Sequence, residues 1–253
     1  MVAALAMPRQ LSLGAWARVA LRLAAMAGLL AACIPLYYAW KLLRIANPWP
    51  RLFLGTVSRI AGVRITVTGP RPVGPTFLLA NHVSWIDIPA LSRVTGSAFV
   101  GHDGLASMPV LEWLCRMNDT VFIARHDRAS VARQVQQVRE ALAEMHALTI
   151  FPEGTTSDGT GLLPFKSSLL SAFEPLPEGI AVQPVLLDYG PEAARIAWVG
   201  EEHGLDNFLR VLARRRPVRL TVAFQHPLSG DQLASRKTIA ASGREALAAA
   251  LSR

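Results

Sequence analysis

The longest uninterrupted apolar run in the chain is Leu23 to Trp40, LAAMAGLLAACIPLYYAW, flanked by Arg18 and Arg22 on one side and Lys41 and Arg44 on the other. As one helix it would rise about 27 Å, close to the hydrocarbon thickness of a bilayer. Pro35 favours two shorter helices lying in the interface, with Tyr37, Tyr38 and Trp40 at the headgroup level and the flanking basic residues on phosphates. A single spanning helix, a cleaved leader ending near Cys33 and a buried core helix are the competing readings.

Beyond Pro48 and Pro50 the pattern becomes strand and helix in alternation. Short β-branched or aromatic runs bounded by Gly, Pro or Asn predict strands over Arg64 to Thr68, Thr76 to Ala80, Ala98 to Gly101, Val121 to Ala124, Leu148 to Phe151, Ala181 to Leu187, Ala194 to Val199 and Val218 to Phe224. Val131, Val135, Val138, Leu142 and Met145 recur at helical spacing, so one amphipathic helix joins the fourth and fifth strands. The Ala-rich tail from Ser235 to Ser252 reads as another helix, and no internal repeat interrupts the series. The expected architecture is α/β, with residues 1–50 as an N-terminal membrane anchor and 51–253 as a catalytic domain.

Composition agrees with contact to lipid: 51% of residues are hydrophobic, 17% are charged, and the net charge is +8. No Asp or Glu precedes Asp87, so the whole basic surplus belongs to the N-terminal third. A basic block suits an anionic membrane, an acidic carrier protein or nucleic acid. Here it brackets an uncharged run instead of alternating with aromatic residues, which favours membrane over nucleic acid. Cys33 and Cys115 are too few and too far apart for a zinc site or a disulfide framework. His126 and Asp127 adjoin Arg125, but His146, His203 and His226 show no ligand spacing, so no metal is expected. The run Arg214-Arg215-Arg216 reads as a solvated surface or a lipid or carrier contact.

Candidate chemistry concentrates after two apolar strands. In Asn81-His82-Val83-Ser84-Trp85-Ile86-Asp87 the His and Asp are five residues apart, a spacing that separates side chains by about 140° around a regular helix. They can meet only if His82 lies in the turn and Asp87 in the first helical turns. Asp87 would then fix the imidazole tautomer and leave the other nitrogen to take a proton from a hydroxyl. The plainer alternatives are a packing histidine and, for Ser84, a helix cap. The second segment, Phe151-Pro152-Glu153-Gly154-Thr155-Thr156-Ser157-Asp158-Gly159, lets backbone approach a ligand closely. It is no Walker A loop, because Thr160 stands where the lysine must be, and no serine in the chain sits in a hydrolase elbow.

These two segments, with Val121-Phe122-Ile123-Ala124-Arg125 between them and Val182-Gln183-Pro184-Val185 after them, resemble the four motifs of the glycerolipid acyltransferase family that includes 1-acylglycerol-3-phosphate acyltransferases. The similarity spans roughly residues 63–224. It implies a mixed sheet flanked by helices, with His82 as the catalytic base and Asp87 as its orienting partner. Arg125, Glu153 and Gly154 match acceptor-binding positions, and Thr155 and Thr156 extend that loop. Asn81, Ser84, His102 and Lys166 are further candidates. The implied reaction is direct attack of a lysolipid hydroxyl on an acyl thioester of acyl carrier protein or coenzyme A, with no acyl-enzyme and no resident cofactor. Backbone N–H groups of Gly154 and Thr155 are the expected oxyanion donors. The resemblance also implies the cytoplasmic membrane as location, with the catalytic domain facing the cytoplasm.

The chain departs from the phosphatidate-making pattern in one direction. Thr156 stands where the third motif usually has arginine, Ala124 where the second often has an acid or amide, and His102 where many relatives carry lysine. A missing guanidinium removes a bidentate phosphate fork. By resemblance the first candidate acceptor is 1-acylglycerol-3-phosphate, and these departures make lyso-ornithine lipid or another lysophospholipid the alternative. A lipid esterase or thioesterase using the same base is the reading from a different class, and a noncatalytic adaptor is a third.

Overall fold

The computed structural model describes residues 11–102, 109–118, 120–123 and 147–252. Arg125, His126, Asp127 and the amphipathic helix expected around Val131 to Met145 lie outside them. Helices α1 (Leu13–Leu43) and α2 (Trp49–Ile60) come first. They lead into β1 (Val63–Thr68), β2 (Thr76–Ala80), α3 (Asp87–Thr95), β3 (Ala98–His102), α4 (Pro109–Met117), β4 (Val121–Ile123) and β5 (Ala147–Ile150). The chain continues through β6 (Ala181–Asp188), α5 (Ala193–Ile196), α6 (Gly204–Leu212), β7 (Val218–Phe224) and α7 (Arg236–Leu251).

Among the described residues the sheet runs β1-β7-β6-β2-β5-β3-β4, parallel at every pairing except β6 against β7. This is the expected mixed sheet flanked by helices. The central strand β2, Thr-Phe-Leu-Leu-Ala, is buried at every position, as a parallel strand covered on both faces must be. Edge strand β1 instead alternates buried Val63 with exposed Arg64. One sheet face, with Leu78, Ala80, Val185, Leu187, Leu220 and Val222, packs against Ala15 and Val19 of α1, Ala90 and Leu91 of α3, and Val211 and Leu212 of α6. The other, with Phe77, Leu79, Leu148 and Val182, packs against Leu169, Leu170 and Ile239 and Ala240 of α7. A Cβ on Gly243 of α7 would come within 2.8 Å of Leu79 Cδ1, so the glycine sets how closely that helix sits on the sheet.

Two expectations are corrected. The strand expected over Ala194 to Val199 is the helical turn α5 followed by extended chain, preceded by a 3-10 turn over Gly190–Glu192. Pro191 pre-sets the dihedral of a first turn and the two alanines after Glu192 favour helix, which outweighs the apolar run. The break expected at Pro35 is absent: α1 is continuous for 31 residues, and Pro35 sits inside it, removing one bond from an otherwise intact ladder. The helix pair instead divides after Arg44, whose φ of 54° ends α1. Asn47 stabilises the corner by donating to the Tyr37 carbonyl at 3.1 Å and accepting from Trp49 N at 3.2 Å.

Arg18 and Arg22 reach back to the sheet domain. Arg18 Nε donates to the Ala213 carbonyl at 3.0 Å and Arg22 Nη1 to the Leu212 carbonyl at 2.8 Å. Both cap the C-terminus of α6, where the helix dipole favours positive charge. The outer side of α1 stays uncovered, with Leu13, Leu21, Leu42 and Leu43 exposed. Its length and apolarity suffice to cross a membrane.

Candidate active site

The geometry of the candidate site follows from where β2 stops. After Ala80 the chain leaves the sheet, and Asn81 replaces the missing ladder with its side chain. Its Oδ1 accepts from Leu187 N at 2.7 Å and its Nδ2 donates to Leu187 O at 3.0 Å. His82 then lies in the turn and Asp87 opens α3, as their spacing predicts. His82 Nδ1 is 2.8 Å from Asp87 Oδ2. The same oxygen accepts the backbone N–H groups of Val83 at 2.7 Å and Ser84 at 2.9 Å, and Oδ1 accepts a hydrogen bond from the Tyr189 hydroxyl. Asp87 is fully buried at the positive end of a helix, with four donors around its two oxygens. With Nδ1–H directed at that carboxylate, the His82 Nε2 lone pair is left to act as a base. The imidazole stacks on Phe151, ring centroids 4.1 Å apart, and keeps 17% of its side chain exposed on a cavity wall.

The remaining backbone groups of the His82 turn are held from two other segments. Glu153, buried after β5, accepts the His82 N–H on Oε1 at 3.1 Å and the Leu163 N–H on Oε2 at 3.1 Å. Burial pushes its carboxyl upward, opposed by those two hydrogen bonds and by the proximity of His82. Ser157 donates to the His82 carbonyl from its N–H at 2.7 Å and its hydroxyl at 3.1 Å. Trp198 N donates to the Val83 carbonyl at 2.9 Å, and the Thr156 hydroxyl donates to the Trp198 carbonyl, tying the two loops together. Gly159 permits this approach, since a Cβ there would lie 2.9 Å from the Ala193 Cβ at a φ of +72°.

His82 opens into a cavity of about 600 Å³ at the carboxyl edge of β2, β5 and β3, where α/β sheets place ligands. Leu30, Cys33 and Tyr37 of α1, Trp49 and Phe53 of α2, and Leu114, Cys115 and Met117 of α4 form its apolar walls. Gly154, Thr155, Thr156, Trp198, Gly200 and Glu202 line the polar end. Among the described residues no Lys or Arg lines it, and no group of three His, Cys, Asp or Glu could hold a metal ion.

The structure thus brings His82, Asp87, Gly154, Thr155 and Thr156 to one place, while Asn81, Ser84 and Glu153 brace the turn from behind. Ser84 gives its N–H to Asp87, and its hydroxyl lies 3.4 Å from Asn207 Oδ1. The Gly154 N–H already donates to the Phe151 carbonyl at 3.0 Å, so of the two expected oxyanion donors only Thr155 keeps that part. Lys166 is exposed and off the cavity wall, and Arg125 is outside the described residues. His102 ends β3, next in sequence to the cavity-lining Gly101. Sequence reasoning missed Tyr189, Asn207 and Glu202. Asn207 is buried and donates to the Ala197 carbonyl at 3.0 Å and to Glu202 at 2.9 Å; Glu202 in turn pairs with Arg210 at 2.8 Å. None of the three sits in a local pattern that marks it.

An acyltransferase family model matches residues 64–188. A lyso-ornithine lipid O-acyltransferase of Rhodobacter capsulatus is 33% identical over 239 residues, covering 88% of this chain and 86% of that protein. The chain belongs to the acyltransferase family. A 1-acyl-sn-glycerol-3-phosphate acyltransferase of Neisseria gonorrhoeae is 37% identical over 135 residues, covering 53% of this chain and 52% of that protein. The crystal structure of the 1-acyl-sn-glycerophosphate acyltransferase of Thermotoga maritima shares the fold, with a TM-score of 0.63 at 19% identity over 92% of this chain and 93% of that one. In this acyltransferase, then, His82 and Asp87 stand hydrogen-bonded to each other in a turn that faces an apolar cavity.

Proposed function

We propose that this acyltransferase moves a fatty acyl group from an acyl thioester to the free hydroxyl of a lyso-ornithine lipid. His82 Nε2 takes the proton of the acceptor hydroxyl as the oxygen attacks the thioester carbonyl. The resulting imidazolium, stabilised by Asp87, returns the proton to the departing thiolate. The Thr155 N–H, on the loop that lines the same cavity as His82, donates to the oxyanion formed between these steps. Acyl carrier protein or coenzyme A supplies the thioester, and the scheme requires no resident cofactor or metal.

One observation carries the choice of acceptor. Among the described residues the cavity wall carries no Lys or Arg to grip a phosphomonoester dianion, and its carboxylate, Glu202, is already paired through both oxygens with Arg210. The hydroxyl of Thr156, where an arginine would grip phosphate, is engaged with the Trp198 carbonyl. Similarity to a lyso-ornithine lipid enzyme along most of both chains points the same way.

We further place the protein on the cytoplasmic face of a membrane, with α1 lying along the bilayer surface. Arg18 and Cys33 contact the same domain although about 22 Å of helix separates them, so α1 follows the domain surface over that length.

The test is acyl transfer from a labelled thioester to lyso-ornithine lipid, lysophosphatidate and lysophosphatidylcholine by wild type and His82→Ala. Lyso-ornithine lipid is expected to be preferred, and His82→Ala to lose at least about a hundredfold. Preference for lysophosphatidate would overturn the acceptor assignment. Release of free fatty acid without any acceptor would turn the reading to a hydrolase.

A further inference from the structure

Asp87 has one oxygen crowded with three donors and one oxygen with a single partner, the hydroxyl of Tyr189. That tyrosine is 102 residues away in sequence and 3% exposed, and it is not on the cavity wall. It therefore acts on the reaction only through Asp87. Its placement has a clear origin. The β2–β6 register sets Ala80 beside Val185, and the double hydrogen bond of Asn81 to Leu187 prolongs that register past the end of β2. Tyr189, two residues further along, is thereby carried to Asp87.

We propose that Tyr189 is a positioning residue of the acyl transfer: its hydroxyl holds the Asp87 carboxylate in one rotamer and tempers the hold of that carboxylate on the His82 imidazolium. Burial, with Asp87 beside it, raises the phenol well above its ordinary range, so it stays a donor wherever the enzyme works. Without it, Oδ1 is an unpartnered oxygen in a dry site and the carboxylate is held through Oδ2 alone. The negative charge then bears undiluted on the imidazolium. The titratable groups facing this centre among the described residues are His82, Asp87, Glu153 and Tyr189, so the predicted change has few other sources.

The inference rests on His82 as base, and the test separates the two. Tyr189→Phe keeps the ring and its packing while removing the donor. Expected are a fall in kcat of about tenfold with KM for both substrates unchanged, and an acid limb of the kcat/KM pH profile displaced to higher pH. The downfield Nδ1 proton resonance of His82 should shift in the same variant. Fluorotyrosine at position 189, a stronger donor of nearly equal size, should move the acid limb to lower pH, and this arm decides if the Phe variant does not fold. A pH profile that stays put in both variants, or a rise in KM with kcat intact, overturns the positioning assignment. If His82→Ala retains wild-type transfer, the base reading itself falls and the inference with it. If His82→Ala is inactive while Tyr189→Phe equals wild type, only the inference falls.

Discussion

Glu153 belongs to the third motif, whose resemblance assigns it to acceptor binding, yet its oxygens are both engaged by backbone N–H groups, one of them that of His82. A glutamine there has one carbonyl to accept and would turn its NH2 toward the other donor. Glu153→Gln is therefore expected to destabilise the fold by about 1–3 kcal/mol and to lower kcat, with the acceptor KM changed by less than about twofold. Thermal melts and acceptor titrations check this, and a large rise in KM at unchanged stability would put the carboxylate on the headgroup instead. Glu202 gives a pH-dependent counterpart. Burial alone would raise its carboxyl, but hydrogen bonds from Arg210 and Asn207 and the charge of Arg210 bring it below its ordinary value. A depressed folded-state value means stability that is present above the unfolded value and lost as pH falls through the folded one. The stability gap between wild type and Glu202→Gln should accordingly be largest near neutrality, up to about 1 kcal/mol for a partly exposed pair, and vanish in strong acid; melts across pH 3 to 7, a range spanning the ordinary carboxyl value of about 4.3, measure it. At this scale the sequence shows the residues that share a turn. His82 and Asp87 are five apart, and their contact follows from local geometry. Tyr189 and Asn207 reach the same turn only through β6 and α6, and no local pattern announces a partner that the tertiary fold supplies.

Elements were legible where a single periodicity governed them. The fully apolar β2 and alternating β7 came out with their boundaries intact, and Ser235 marks the start of α7 through a capping box with Thr238. Two elements were misjudged because a local rule met a stronger neighbour. Over Ala194 to Val199 the apolar run suggested a strand, but Pro191 and the alanines started a helical turn, and Ile196 and Ala197 are buried there as they would have been in a sheet. At Pro35 the missing hydrogen bond does not end α1, and the helix stops where Arg44 and Asn47 turn the chain. The start of α1 is pinned by Arg18 and Arg22 on the last carbonyls of α6, contacts that no pattern of charge along the sequence reveals. Replacing both arginines by alanine should cost about 1–3 kcal/mol, from two charge-assisted hydrogen bonds and the lost dipole complement. Limited proteolysis should then cut near the start of α1 sooner than in wild type. Equal protection would mean that apolar packing of Ala15 and Val19 suffices to dock the helix.

In the whole molecule the cavity joins two surfaces of different origin. The end that holds His82 is built by strand termini of the sheet, while its apolar walls come from α1, α2 and α4. The outer side of α1 carries Leu13, Leu21, Leu42 and Leu43 in full view of solvent, too much apolar surface for a helix that only closes a soluble domain. A bilayer pressed against that side would cover those leucines and bring lipid beside the cavity wall formed by Leu30, Cys33 and Tyr37. A helix that crossed the bilayer would instead carry its two ends to opposite sides, about 46 Å apart along 31 residues, and would pull one end off the domain that both ends contact. Single cysteines at Ser12 and at Ala46, exposed positions just beyond the two ends of α1, in a Cys33→Ala/Cys115→Ala background with retained activity, distinguish the two in sealed vesicles. A membrane-impermeant thiol reagent added outside should label both positions in vesicles with the catalytic domain outward, and neither in vesicles of the opposite orientation. Labelling of one position in each orientation would establish a spanning helix and detach the cavity wall from the membrane surface proposed for it.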